Sequence, residues 1–198
     1  MNNYEYIIAS LPVLQAGYRG PLDAASLLEE IREQLSASDA TALQLVLDGW
    51  KASGLNEEFY VRAAKSRSAF IRGYFLYDRL LRNAKVNWLN KSLGRPEGQD
   101  IIPAPGADSA EEDFEDQARA AEVLAGTDIL ERERGLDSLL WDRIDGLTIM
   151  HVFDLDVILG FAAKLQIVDR WLKLDENTGR ELFARLVSDM KSQYLQQE

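Results

Sequence analysis

The segment RSAFIRGYFLYDRLLRNAKVNWLNKSLGR, residues 67–95, decides the fold class, because its large apolar side chains recur at helical spacing. Every step between them is three, four or seven positions, which places all of them on one face of an α-helix. We expect this stripe to face the core, since packing requires large apolar groups at helical spacing. With its upstream members, the stripe consists of Phe59, Ala63, Phe70, Tyr74, Tyr77, Leu81, Ala84 and Trp88.

The remaining sequence predicts an all-α protein, either two packed helical lobes or one multi-helix bundle. Residues 4–10 are β-branched and aromatic, and form either a short strand or a helical turn. HVFDLDVILGFAAKLQIVDRWLKL, residues 151–174, is apolar on nearly every face, which is typical of a helix central to a bundle. Helices are predicted at 22–36, 39–50, 56–93, 109–125, 127–145, 148–173 and 176–195, with joints near Gly126, Gly146 and Asp175.

Three prolines and three glycines interrupt this pattern between residues 94 and 106. The domain prediction is therefore an N-terminal lobe at 1–94, a linker at 95–108 and a C-terminal lobe at 109–198. The two lobes could equally pack as a single domain.

Composition narrows the classes of function. The 198 residues carry a net charge of -11, which argues against general affinity for nucleic acid or anionic lipid. The absence of cysteine excludes disulfides, thiolate nucleophiles and cysteine-ligated zinc, and agrees with a reducing cytosol. The N-terminus lacks a basic signal-peptide region, and the apolar window at 147–168 carries too many charges for a membrane span. We expect a cytoplasmic protein.

Charge is distributed unevenly along the chain. Residues 62–95 hold nine basic side chains and one acidic side chain, a local charge of +8, so the rest sums to -19. Directly downstream, residues 97–116 contain eight acidic and no basic residues. The acidic run could cover the basic face in cis; the alternatives are an acidic protein partner, RNA or an anionic lipid surface, and we rank the protein partner above RNA. The tentative partner-binding residues are Lys65, Arg72, Arg79 and Arg82.

No catalytic motif is evident, and the single histidine limits the chemistry available. The sequence lacks a phosphate-binding loop, a dinucleotide-binding glycine motif and a nucleophile elbow. One polar group could bind a metal ion, since its members include pairs at i,i+3 spacing: His151, Asp142, Asp145, Asp154 and Asp156. We favour helix capping and ion pairing for these residues, and predict no enzyme activity and no cofactor. A metal-dependent hydrolase and an RNA-binding protein remain the alternatives.

Three blocks resemble a bacterial family of unknown function whose genes lie among those of V-type ATP synthase subunits. They are YEYIIASLPVL (4–14), YFLYDRLLRNAKVNWLNKSLGR (74–95) and the segment from LLWDRIDGLTIM to RELFARLV (139–187). The resemblance implies a helical accessory or stalk protein without an active site. Its candidate counterpart is the C (also called d) subunit, which joins the rotor shaft to the proteolipid ring. The implied partners are rotor or stalk subunits, at the periphery of the inner membrane.

Overall fold

The computed structural model describes residues 4–51, 54–105 and 113–174, and within them the protein is entirely α-helical. This confirms the predicted fold class. The described part of the chain forms eight helices and no strand: α1 (Glu5–Ser10), α2 (Ala24–Gln34), α3 (Ala37–Asp48), α4 (Glu57–Ala64), α5 (Ala69–Ser92), α6 (Gln117–Ala125), α7 (Ile129–Thr148) and α8 (Leu155–Lys173). The helix predicted at 176–195 lies outside the described residues. No helix in the described ranges has both the length and the apolar character that a membrane span requires.

The segment left open between strand and helix is the short helix α1. It is fixed at its start, because the backbone N–H of Tyr4 donates to the carbonyl oxygen of Phe153 at 2.8 Å. The Tyr4 side chain is buried and its hydroxyl donates to the Asp39 carboxylate. The chain therefore brings α1 against α3 and against the connection that precedes α8.

The single long helix predicted from Asn56 to Leu93 is wrong, since the chain breaks between α4 and α5. Asn56 does cap α4, where its side chain accepts from the backbone N–H of Phe59. Ser68 starts α5 in the same way and accepts from the N–H of Ile71 at 3.1 Å. Serine side chains bond to nearby backbone and so favour helix starts over helix interiors. The two serines at 66 and 68 are the physical reason for the break.

The predicted apolar stripe does form the core. Its members from Phe59 to Leu81 are buried, and the last two, Ala84 and Trp88, are partly buried against them. α5 packs against α4, α6, α7 and α8, while α8 packs against α2, α3, α5 and α7. One hydrophobic cluster includes helices from both sides of the proline- and glycine-rich linker. The division into two lobes stays a prediction.

Residues 95–105, the described part of the linker, contain no helix and lie along the C-terminal half of α5. Three asparagines on α5 hold this segment through its backbone. The Asn83 side chain donates to the carbonyl of Ile102 at 2.8 Å and accepts from its N–H at 2.9 Å. Asn87 accepts from the N–H of Gly98, and Asn90 donates to the carbonyl of Gln99. These side chains satisfy backbone groups that a segment without regular structure leaves unpaired.

The α7–α8 boundary also differs from the prediction. α7 continues through Gly146 to Thr148, so the predicted joint at that glycine is wrong. Residues 149–154 form a loop instead of the start of a helix, and α8 begins after Asp154. The Asp154 carboxylate accepts from the backbone N–H groups of Asp156 and Val157, which confirms the predicted capping role. This loop and its cap position the site described next.

Candidate functional site

The four predicted partner-binding cations do not all belong to one helix. Lys65 follows the end of α4, whereas Arg72, Arg79 and Arg82 belong to α5. Arg72 is turned back onto the α4–α5 connection, where its Nη1 donates to the carbonyl oxygens of residues 66 and 67 at 2.7 and 2.9 Å. This arginine stabilises the break between the two helices.

Two of these arginines are engaged within the protein. Arg79 is only 3% exposed, and its Nη1 lies 3.4 Å from the carbonyl oxygen of Ile102. Arg82 donates from Nε to the buried carboxylate of Asp78 at 2.8 Å. Burial lowers the pKa of Arg79, as expected for a guanidinium that has lost contact with water. Binding of a partner or of RNA through this set stays a prediction.

Several residues of the acidic run at 97–116 form ion pairs with arginines. Asp100 pairs with Arg95, while Glu115 pairs with Arg143. Asp116 pairs with Arg119 and accepts from the Tyr77 hydroxyl at 2.6 Å, an interaction that lowers the pKa of this carboxyl. Asp108, Glu111 and Glu112 lie outside the described residues. Three of the described acidic residues therefore pair with arginines of α6, α7 and the linker.

The five predicted metal-ligand candidates separate into two sets. On α7, Asp142 pairs with Arg119 at 2.7 Å and Asp145 pairs with Lys164 at 2.5 Å. His151, Asp154 and Asp156 come together at the start of α8. Across the described ranges, no group of three or more His, Cys, Asp or Glu residues has a metal-binding arrangement. Metal binding stays a prediction, which elemental analysis of the purified protein tests.

Side-chain hydrogen bonds join His151 to Asp154 and, separately, Asp156 to Ser68 at the start of α5. His151 Nδ1 lies 2.6 Å from Asp154 Oδ2, and Nε2 lies 4.0 Å from Asp156 Oδ2. Asp156 accepts from the Ser68 hydroxyl at 2.8 Å. The hydrogen bond to Asp154 raises the pKa of His151, because the carboxylate stabilises the imidazolium. Since Ser68 donates to a carboxylate and caps α5, it is held in a structural role.

These residues line a cleft of about 810 Å³. Its walls are one side of α3, the α4–α5 connection and the start of α8, and Tyr4 contributes from the N-terminal side. The charged groups of the lining are four carboxylates, two guanidinium groups and the imidazole of His151. They belong to Asp39, Asp48, Asp154, Asp156, Arg62, Arg67 and His151.

An exposed apolar surface lies beside the cleft, and sequence periodicity missed it. We call it the α7–α8 patch: Tyr6 of α1 with Ile149, Met150, Val152 and Phe153 of the loop. Tyr6 is 90% exposed, Met150 87% and Val152 63%, although Val152 was expected inside a central helix. The backbone hydrogen bond from Tyr4 to Phe153 places the start of α1 beside this loop. The capping aspartate at 154 was the one sequence signal that the preceding residues form a loop.

A second apolar surface lies at the opposite end of the α5–α7 pair. The two helices run antiparallel, since Gly73 packs against Leu147 and Lys85 pairs with Glu133 farther along. The end of α5 therefore meets the start of α7. We call the exposed side chains there the α5–α7 end patch: Leu89, Leu93, Ile129 and Leu130.

Comparison with known proteins gives one assignment. No curated protein matches the chain, and no solved structure matches it. A family model described as a protein of unknown function, DUF2764, matches residues 50–194, which includes both ends of the α5–α7 pair and the loop before α8. The chain therefore belongs to the DUF2764 family of proteins of unknown function.

Proposed function

We propose that this protein is a non-enzymatic accessory component of a V-type ATP synthase that acts through protein–protein contacts at its two ends. The observation that carries the proposal is the exposure of large apolar side chains at both ends of the α5–α7 pair. Soluble monomers rarely expose contiguous apolar patches larger than a few hundred Å², and patches above roughly that size mark interaction sites. The choice of assembly comes from the sequence resemblance.

The spacing of the two patches suits a linking component. α5 has 24 residues and, at about 1.5 Å per residue, is about 36 Å long. The α7–α8 patch lies near its start and the α5–α7 end patch near its end, so two partners could be held apart by the length of this helix. Because α5 is buried in the middle of the fold, it forms a rigid spacer between them.

Co-purification tests the proposal. The protein should be co-expressed with the rotor-shaft and catalytic-head subunits of a V-type ATP synthase and purified by a tag on one component, at low and at moderate salt. We expect it to co-purify with at least one of these subunits at both salt concentrations. Co-purification with neither subunit would remove the V-type assignment.

Two double variants assign the contacts to surfaces. Met150→Ser with Val152→Ser alters the α7–α8 patch, and Leu93→Ser with Ile129→Ser alters the α5–α7 end patch. Leu76→Ser is the matched control, because Leu76 is an exposed leucine in the middle of α5, between the two ends. Each double variant should reduce recovery of one partner, and the control should leave recovery unchanged. Equal effects of the control and both double variants would refute the two-ended arrangement.

A further inference from the structure

We infer that the α7–α8 patch and the adjoining cleft together receive a basic amphipathic segment of a partner protein. The inference rests on the proposed function and specifies the chemistry of the partner at one of its two surfaces. It follows from three properties of this end of the molecule: exposed apolar area, a fixed backbone and an excess of negative charge.

The apolar half of the site consists of large side chains that are exposed to solvent. Three residues of the loop before α8 are more than half exposed: Ile149, Met150 and Val152. Methionine is flexible and polarisable and adapts to irregular apolar partners. Amphipathic segments dock on such surfaces by burying one apolar face.

The backbone that presents these side chains is held in place. Tyr4 N–H donates to the carbonyl oxygen of Phe153, and the N–H of His151 donates to the carbonyl of Thr148 at 2.9 Å. The Asp154 cap fixes the other end of the loop on α8. A surface that is ordered before binding loses little conformational entropy when a partner docks, so more of the contact energy contributes to affinity.

Charge decides what kind of partner fits. Four carboxylates and two guanidinium groups line the cleft, a balance of -2 with neutral His151 and -1 with the protonated form that Asp154 favours, on a protein of net charge -11. One of the carboxylates, Asp48, is paired with Lys51. Two of the carboxylates, Asp154 and Asp156, lie within three residues of the exposed Phe153. Lysine or arginine side chains beside an apolar face would be attracted into the cleft. An acidic segment would be repelled there, which gives specificity.

The test uses three synthetic peptides of about 18 residues, or about five helical turns. One combines leucine and lysine in an amphipathic pattern, one replaces lysine by glutamate, and one replaces leucine by serine. Binding to the full-length protein is measured by fluorescence anisotropy at low and moderate salt. We expect the leucine–lysine peptide to bind, the leucine–glutamate peptide not to bind, and the serine–lysine peptide to bind at least about tenfold more weakly.

Matched variants locate the binding. Met150→Ser with Val152→Ser, and separately Asp156→Asn, should each weaken the leucine–lysine peptide by about tenfold or more. Glu29→Gln with Glu30→Gln is the charge control, because it removes two exposed charges of α2. Leu93→Ser with Ile129→Ser is the apolar control at the other end. Circular dichroism checks that every variant is folded. Equal weakening by the controls, or no effect of the site variants, would overturn the inference.

The same variants separate this inference from the proposed function. Suppose that V-type subunits co-purify, that their recovery is unchanged by Met150→Ser with Val152→Ser and by Asp156→Asn, and that the leucine–lysine peptide does not bind. In that case the inference alone is wrong. If the peptide binds at the site and no V-type subunit co-purifies, the partner is a different protein and the assignment to a V-type ATP synthase is wrong.

Discussion

Gly160 lies where α8 passes close to the end of α7. A methyl group placed at this position would lie 2.6 Å from Cγ2 of Thr148 and 3.3 Å from Cγ2 of Ile144. Gly160 is itself buried in α8. Gly160→Ala therefore forces two packed side chains to move in the part of the core that supports the α7–α8 loop.

Two opposing effects set the size of the change. Alanine is favoured over glycine inside a helix by about 1 kcal/mol. Overpacking of a well-packed core costs about 1 to 3 kcal/mol. The net expectation for Gly160→Ala is a loss of up to about 2 kcal/mol in the free energy of unfolding, or a fall of several degrees in Tm.

Gly146→Ala is the matched control on α7. Gly146 is exposed, and an added methyl group would meet no atom within 4 Å. Only the helix preference remains, so this variant should be more stable than the parent by about 0.5 to 1 kcal/mol. Urea unfolding followed by circular dichroism measures both variants, with equal m-values as the check that only stability has changed.

A double-mutant cycle tests the assigned cause. Thr148→Ser removes Cγ2, the nearest atom, and keeps the hydroxyl that donates to the Ile144 carbonyl at 2.9 Å. In that background the loss from Gly160→Ala should shrink or reverse, since the closest contact has gone. The reasoning is refuted if Gly160→Ala costs the same in both backgrounds, or if it stabilises the parent as Gly146→Ala does.

Three further predictions concern polar contacts. The pKa of His151 is raised in the folded protein by Asp154, so the stabilisation from its protonated form is full below the unfolded pKa of 6.5 and is lost as pH rises through the folded pKa. The difference in free energy of unfolding between the parent and His151→Gln should therefore shrink from about pH 6 to about pH 8. A difference that does not depend on pH would contradict this. Tyr60→Phe removes a buried 2.7 Å hydrogen bond to the Asp78 carboxylate and should cost about 1.5 to 3 kcal/mol in urea unfolding; a loss within error of zero would contradict this. Asn83→Ala removes two of the side-chain hydrogen bonds that hold the proline- and glycine-rich segment, so limited proteolysis should cut that segment faster. An unchanged rate of cleavage would contradict this.

Sequence patterns predicted the features that depend on local spacing. The aromatic stripe from Phe59 to Leu81 is buried because helical periodicity and core packing impose the same constraint. The caps at Asn56 and Asp154 were recognisable because a short polar side chain before a helix has one strongly preferred use. The all-α class followed from these signals together.

The cleft could not be predicted, because its walls come from parts of the chain that are distant in sequence. Asp39 on α3, the α4–α5 connection and the start of α8 meet only in the folded protein. The break between α4 and α5 was also missed, since the apolar stripe continues in phase across it. A continuous apolar stripe does not reveal that serine side chains and the Arg72 guanidinium bond to the backbone of a turn between α4 and α5.

Among the predicted basic residues of α5, Arg79 is buried while Arg72 and Arg82 are exposed, and the reason is the position of α5. A helix at the surface has one apolar side and one solvated side, and on that assumption Arg72, Arg79 and Arg82 would point to water. α5 instead contacts four helices, and the linker segment at 95–105 covers part of its remaining side. Arg79 is consequently buried although it lies opposite the core stripe. The negative charge beside an exposed apolar loop, rather than the positive charge of this helix, is the feature that carries our proposal for binding.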